Sequence, residues 1–195
     1  MLIKEMEAER QFFKTRKAIE NWLEQNNIWR YDINDDMSVN IKGDLNMMAY
    51  MNEYLPFQFR KVEGSFTISG SPHLVNLKGS PDFVGKSFSA INCPNLRTPD
   101  FAPMHCGLDF RIHGSVKTFH NINSYVKHIG RVLTASNDTT NLLGILFIEG
   151  IRHINIDSGG PIDTILNKYM KMPYKDLHKC QEEMLDAGLS AQART

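Results

Sequence analysis

The 195-residue sequence has no apolar run of membrane-spanning length and no excess of charge of either sign. A helix that spans a bilayer needs about 20 consecutive apolar residues. The longest apolar cluster, Leu142 to Ile148, is only strand-sized and is interrupted by Gly144. Lysines and arginines number 22, as do aspartates and glutamates. The sequence therefore predicts no membrane partner, and any electrostatic preference must come from local clustering of charge.

Cysteine is scarce as well. The three cysteines, Cys93, Cys106 and Cys180, are odd in number and widely spaced, which does not fit a disulfide framework. Their use is typical of a reducing compartment, and we expect them to be buried as small apolar residues. The N-terminus also lacks the charged-then-apolar pattern of a signal peptide. We therefore expect the protein to stay in the cytoplasm.

Motifs for a cofactor, a metal or a reaction are missing too. Residues 79–87 resemble a phosphate-binding P-loop, but five residues separate the glycines instead of four and a strand pattern follows. No histidine has a neighbour at zinc-ligand spacing. His105 and Cys106 are adjacent and would point to opposite faces of a strand. The sequence predicts no catalytic residue, no metal site and no cofactor, which favours a binding protein; an enzyme would need residues that only folding brings together.

The sequence does contain an internal repeat with an offset of 22 residues, which begins at residue 62. Matched positions are Val62 with Val84, Ser65-Phe66 with Ser87-Phe88, Pro72 and Leu74 with Pro94 and Leu96, and Pro81 with Pro103. A third unit aligns Phe110 with Phe88, and a fourth is centred on Val132, Leu133 and Ala135. This period is typical of short leucine-rich-type solenoids. Because one coil cannot bury its apolar side alone, stacked coils are expected to share a core and a parallel sheet.

Strand alternation within the repeat predicts which side chains face outward. The inward set is Phe66, Ile68, Phe88, Ala90, Leu108, Phe110 and Ile112, and the outward set is Ser65, Thr67, Ser69, Ser87, Ser89, Asp109, Arg111 and His113. Small hydroxyl groups thus give way to charged groups along the sheet. Asp109, Arg111 and His113 are the predicted partner-binding residues.

Helical patterns flank the repeat. Residues 4–25 lack Gly and Pro and carry apolar residues at helical spacing, with Asn26-Asn27 as a stop signal. After strands predicted at 145–148 and 151–156, Pro161 suits the start of a helix through Met170. Another helix follows Pro173, with Leu177, Cys180, Met184 and Leu185 on one face and Gly188 as its cap.

The predicted organisation is one α+β domain over residues 1–195. An N-terminal helix occupies 1–27, a strand-rich repeat block with a small curved sheet of about four units occupies 28–157, and C-terminal helices occupy 158–195.

One stretch, residues 110–137, contains no Asp or Glu. Its cations are Arg111, Lys117, Lys127 and Arg131, with Phe119 and Tyr125 interleaved. Cations that contact phosphates and aromatic rings that stack on bases are the features of a single-stranded nucleic-acid binder. Nucleic-acid binding is therefore the alternative function.

The order of features resembles leucine-rich-repeat-like proteins of unassigned function that tailed bacteriophages encode. The residues that carry the resemblance are Trp22-Leu23, Tyr31 to Ile33, Val39 to Leu45, Leu55 to Phe59, Val62 to Phe66, the set Leu74, Leu77, Gly79 and Pro81, and Cys180 to Gly188. It covers most of residues 20–190. The third unit departs from the pattern, because Val116 to Phe119 replaces the usual Leu-x-x-Leu-x-Gly.

The resemblance implies a short leucine-rich-repeat-like solenoid and no catalytic residues. Solenoids present extended surfaces that bind other macromolecules. We therefore expect a phage accessory protein that binds and neutralises a host protein, such as a defence toxin or nuclease, in the host cytoplasm. An open solenoid end can also pair with a second copy, which makes a homodimer a further expectation.

Overall fold

The computed structural model describes residues 12–156 and 158–194. Within them the chain winds into stacked coils, and each coil contributes short strands to two separate sheets. Sheet A consists of β1 (Tyr31–Ile33), β2 (Val39–Ile41), β4 (Phe59–Val62), β6 (Phe83–Val84), β8 (His105–Cys106) and β10 (His128–Ile129). Sheet B consists of β3 (Leu45–Asn46), β5 (Phe66–Thr67), β7 (Phe88–Ser89), β9 (Phe110–Arg111), β11 (Val132–Thr134) and β12 (His153–Asn155).

The strand register confirms the repeat. In sheet B, Phe66 pairs with Phe88, Phe88 with Phe110, and Phe110 with Leu133, all in parallel. The third and fourth units therefore exist at the predicted positions. The prediction of a single curved sheet was wrong, because Val62 and Val84 belong to sheet A while the phenylalanines belong to sheet B.

An aromatic column forms the centre of the solenoid. Phe66, Phe88 and Phe110 are fully buried, with ring centroids 5.6 Å and 5.1 Å apart along the column. Burying a Phe side chain stabilises a fold by about 1.5–3 kcal/mol relative to leaving it exposed. Since parallel stacking places equivalent residues above one another, each coil extends the same core.

A column of glycines forms the corner between the two sheets. A Cβ atom on Gly107 would lie 2.1 Å from the carbonyl oxygen of Gly85, and one on Gly130 would lie 2.0 Å from the carbonyl oxygen of Gly107. Only residues without a side chain allow the backbones of successive coils to approach this closely. The coils are therefore stacked backbone on backbone at this corner.

Helix α1 (Arg16–Gln25) packs against the first coils, where the Trp22 ring lies 5.3 Å from the Phe57 ring. Thr15 caps it by accepting a hydrogen bond from the Ala18 N–H at 3.3 Å. Residues 12–15 are therefore not helical, and the prediction of a helix over them was wrong. The predicted residues 4–11 lie outside the described residues. The stop at the asparagine pair is confirmed, because Asn27 has a φ of +57°. Ile19 and Leu23 bury the inner face of α1.

The C-terminal part differs from the sequence pattern at one element. A 3₁₀ helix, Leu143–Phe147, replaces the strand predicted at 145–148. Leu142, Leu143, Ile145 and Leu146 are all buried, whereas a strand with one solvent-facing side would expose alternate residues. A tight helical turn buries such consecutive side chains more completely. The next strand, predicted at 151–156, forms as β12.

Three further helices complete the fold. They are α2 (Ile122–Tyr125), α3 (Pro161–Met170) and α4 (Leu177–Asp186). Pro161 opens α3 as predicted, and Gly188, with a φ of +77°, follows α4. The predicted face of α4 is only partly right, because Cys180 and Met184 are buried but Leu185 is half exposed. No helix in the described ranges has the length and apolar character to cross a bilayer.

Candidate binding surface

The outer side of sheet B carries a column of stacked residues at its glycine corner. The column consists of Lys86, Leu108, Arg131 and Arg152, each of which stands two residues before a buried residue of a sheet B strand. Their backbones are linked in turn: the Leu108 N–H donates to the Lys86 carbonyl at 2.9 Å, that of Arg131 to Leu108 at 3.0 Å, and that of Arg152 to Arg131 at 2.8 Å. All four side chains are exposed. The stacking thus places three cations in one row.

A buried carboxylate fixes two arginines on this surface. Asp109 is 2 % exposed, and its two carboxylate oxygens accept hydrogen bonds from Nε and one terminal nitrogen of Arg131, both at 2.7 Å. Arg111 donates to the same carboxylate at 2.5 Å. The two arginine side chains remain about half exposed, at 47 % for Arg111 and 52 % for Arg131. Their charged faces are therefore held in place while still accessible to a partner.

The pKa values follow this geometry. The hydrogen bonds from Arg131, aided by the charge of Arg111, hold the pKa of Asp109 below its usual value despite its burial. The same carboxylate raises the pKa of Arg131 further above its usual range. Both groups are ionised at neutral pH, so Asp109 cancels only one of the two arginine charges.

Together Lys86, Arg111, Arg131 and Arg152 form the basic patch. Two carboxylates lie beside them: Asp109, and Asp44, whose Oδ1 is 3.9 Å from Lys86 Nζ. Four cations against two anions give a net charge of +2. Arg152 has no ion pair with any described residue.

One predicted side-chain direction was wrong, because Leu108, predicted to face inward, is 38 % exposed. Asp109, predicted to point outward, is 2 % exposed because Arg111 and Arg131 cover its carboxylate. The reason is the corner at Gly107, where the chain turns from sheet A into sheet B. Strand alternation holds only from Phe110 onward, as Ile112 confirms by its burial.

His113, the third predicted contact residue, lies beside the basic patch. It borders a groove of about 400 Å³ on sheet B together with Thr134, Ser136 and Asn155. Thr134 is the cross-strand neighbour of Arg111. The Nδ1 atom of His113 is buried and has no hydrogen-bond partner among the described residues. The structure thus brings Asp109, Arg111 and His113 into one region.

The cations of the stretch 110–137 separate on folding. Arg111 and Arg131 join the basic patch, but Lys117 pairs with the Asp138 carboxylate and Lys127 donates to the Asn123 carbonyl at 2.6 Å. The acid-free stretch is bounded by Asp109 and Asp138, and these two acids contact three of its four cations. Folding therefore neutralises much of the local positive charge.

The interleaved aromatic residues do not reach the patch. Phe119 is 1 % exposed in the core, and the Tyr125 ring packs against the Phe101 ring at 5.6 Å. No base-stacking ring therefore accompanies Arg111 and Arg131 in the described structure.

Sequence reasoning missed Lys86 and Arg152 as members of the basic patch. Lys86 lies 22 residues before Leu108, and Arg152 lies 21 residues after Arg131. Extending the repeat offset in both directions would have placed them in one row. The signal was present, but Arg152 lies outside the acid-free stretch and Lys86 falls in the P-loop-like segment.

The outer side of sheet A carries a stack of rings. The Phe83 and His105 rings are 4.6 Å apart and nearly parallel, as are those of His105 and His128 at 4.5 Å. His105 lies between the other two rings, so both of its faces are covered and only its ring edge is open to a ligand. Burial and the neighbouring His128 lower the pKa of His105.

The cysteines are buried and free, as expected. His105 lies on the outer side of β8, while the Cys106 thiol faces inward and donates to the Asp109 carbonyl at 3.0 Å. Burial raises the pKa of Cys106, and likewise that of Cys180, to about 11. These thiols are therefore protonated at neutral pH and are poor nucleophiles. Within the described ranges no group of three His, Cys, Asp or Glu residues is arranged to hold a metal ion.

No protein-family model, curated protein or solved structure matches this chain.

Proposed function

We propose that this protein is a binding protein that holds an acidic partner protein on the outer side of sheet B, with the basic patch at the centre of the contact. The buried carboxylate of Asp109, which fixes Arg111 and Arg131, carries the proposal. Arginine side chains lose considerable conformational freedom when they bind. Here the buried carboxylate already restricts two arginine side chains that are about half exposed, so a partner carboxylate meets preorganised guanidinium donors.

An acidic protein surface fits this patch better than a nucleic acid does. Single-stranded nucleic acids are held by aromatic stacking together with phosphate contacts, and neither Phe119 nor Tyr125 reaches the patch. The groove beside His113 is instead lined by hydroxyl and amide side chains, such as Thr134 and Asn155, which suit hydrogen bonds to a polar protein surface.

The proposed partner is a host protein, such as a defence toxin or nuclease, that is sequestered in the host cytoplasm. Support comes from the resemblance to leucine-rich-repeat-like phage proteins and from the stacked coils, whose register advances by 22 residues between Val62 and Val84. Because the basic patch is positively charged, we infer that the contact surface on the partner is acidic.

The test is affinity capture from bacterial lysate by the tagged full-length protein, with and without nuclease, and with two charge-reversal variants. Arg152→Glu reverses a charge within the basic patch, and Arg97→Glu is the matched control. Arg97 is also an exposed arginine without an ion pair in the described structure, and it lies away from sheet B. Mass spectrometry identifies the captured proteins, and titration of the purified partner gives the affinity.

We expect one acidic protein to be captured in both nuclease conditions, with affinity about tenfold lower for Arg152→Glu and unchanged for Arg97→Glu. Capture that disappears with nuclease would instead support nucleic-acid binding. Equal loss in the two variants would contradict a role for the basic patch.

A further inference from the structure

The two ends of sheet B are closed differently. At the C-terminal end, the side chain of Asn167 from α3 bonds the outward main-chain groups of Ile154 in β12. Its Oδ1 accepts from the N–H at 2.8 Å, and its Nδ2 donates to the carbonyl at 2.7 Å. The Ile156 N–H is bonded by Asp163 at 2.6 Å. Side chains thus replace the missing next strand at this end.

At the N-terminal end, β3 is the last strand of sheet B, and no described strand pairs with its outer side. The N–H groups of Leu45, Met47 and Ala49 donate inward, to the carbonyls of Ser65, Thr67 and Ser69. In a parallel strand, the main-chain groups of the alternate residues point the other way. The N–H and C=O groups of Asp44 and Asn46 therefore face outward, which is the arrangement that recruits another strand.

Apolar side chains flank this open edge. Trp29, Met48 and Met51 are 68 %, 63 % and 62 % exposed. Trp29 also borders a groove of about 390 Å³ that reaches Gly43 and Asp44. Exposed apolar groups beside unpaired backbone are a common mark of a protein interface.

We propose that a second copy of this chain pairs with β3 through its own β3, in antiparallel orientation about a two-fold axis. With Leu45 opposite Leu45 of the second copy, the outward-facing Asp44 lies opposite Asn46 of the other chain. Each such pair exchanges two main-chain hydrogen bonds. The strand edge is complementary to itself, as a two-fold contact requires.

The side chains of Asp44 and Asn46 favour this register and favour a second copy of this chain as the partner. Both Asp44 and Asn46 are exposed on the outer side of sheet B, so each interface would contain two Asp–Asn pairs. An amide can donate to the carboxylate opposite it, whereas like charges placed opposite each other are destabilising. The two-fold axis runs perpendicular to the sheet, so sheet B continues across the dimer with both basic patches on the same side.

Sedimentation equilibrium of the full-length protein from about 1 to 100 µM tests the proposal, in a range that covers weak dimers. Asn46→Asp puts carboxylates opposite each other but retains the oxygen that accepts the Met48 N–H bond, seen at 3.0 Å. The double variant Asp44→Asn/Asn46→Asp exchanges the two groups and restores each unlike pair. The amide oxygen that this variant carries at position 44 can still accept the Ser65 N–H bond, which Asp44 accepts at 2.7 Å.

We expect the wild-type protein to dimerise, Asn46→Asp to dimerise about tenfold more weakly, and the double variant to recover wild-type affinity. Asn46→Pro removes the outward N–H and should yield a folded monomer, because proline is tolerated at a strand edge; circular dichroism checks its fold. A wild-type chain that stays monomeric at about 100 µM would overturn the proposal. A double variant as weak as Asn46→Asp would overturn the register. Arg152→Glu should leave the dimer unchanged, which separates this test from that of the basic patch.

Discussion

Replacing Asp109 by Asn tests whether the buried carboxylate organises the basic patch. Asn has nearly the same shape but no charge, and its NH₂ group faces a guanidinium donor in place of an acceptor oxygen. Asp109 accepts two hydrogen bonds from Arg131 at 2.7 Å and one from Arg111 at 2.5 Å. The variant keeps one acceptor oxygen and leaves two neighbouring cations without their shared anion.

The expected loss of stability can be worked out from these contacts. Hydrogen bonds to charged groups contribute about 1.5–3 kcal/mol each, but the arginines are half exposed, and solvent reduces that contribution. With one acceptor oxygen retained, we expect Asp109→Asn to lower the free energy of unfolding by about 2 kcal/mol at pH 7. For a chain of this length, that corresponds to a fall in Tm of roughly 4–8 °C.

The loss should depend on pH in a defined direction. The folded pKa of Asp109 is lowered, so its contribution to stability is fully present above the unfolded pKa of about 3.9. It is lost as the pH falls through the folded pKa, where the carboxylate becomes protonated and resembles the amide. The difference between wild type and variant should therefore shrink below about pH 4.

Urea unfolding followed by circular dichroism at several pH values measures this difference. Asp138→Asn is the control, because Asp138 pairs with Lys117 at the surface and both side chains are about half exposed. Removal of an exposed pair should change stability little. A loss for Asp109→Asn that is no larger than for the control, or that does not vary with pH, would refute the role of Asp109.

Two further predictions concern the coil corner and the ring stack. Gly107→Ala should destabilise the protein by about 4 kcal/mol or prevent folding, because the alanine Cβ would lie 2.1 Å from the Gly85 carbonyl oxygen. Leu108→Ala, which changes the exposed neighbour, is the control. Equal melting temperatures for the two variants would contradict the backbone stacking. An NMR titration should place the pKa of folded His105 below its usual value of 6.5. The stability that neutral His105 contributes is therefore fully present above about pH 6.5 and is lost as the pH falls through the folded pKa. His105→Phe should accordingly reduce the loss of stability between pH 7 and pH 5, and an unchanged pH profile would argue against this cause.

The repeat and its register were readable from the sequence. The offset of 22 residues between Phe66, Phe88 and Phe110 is a local property of the chain, and parallel stacking turns equal spacing into pairing. Helix signals such as Pro161 and Gly188 also act over a few residues, so they could be recognised without the tertiary structure. The helix start at Arg16 could not be recognised in this way, because the residues before it lack Gly and Pro and the start depends on the cap that Thr15 forms in the folded chain.

The site was only partly predictable. Arg111 and Arg131 could be named because the absence of acids between residues 110 and 137 drew attention to them. Which cations would be neutralised could not be known, since Asp109 and Asp138 find their partners 22 and 21 residues away through the stacking of coils.

The sequence by itself therefore determined the stacked coils, the parallel pairing and the buried aromatic column, because each depends on spacing along the chain. The tertiary structure alone decided that each coil contributes strands to two sheets and that Asp109 is buried beneath two arginines. It also decided that Asn167 covers the edge of β12, whereas no described strand pairs with the outer side of β3. These features depend on the direction of side chains at a corner and on contacts between coils. Neither is encoded in the local alternation of apolar and polar residues.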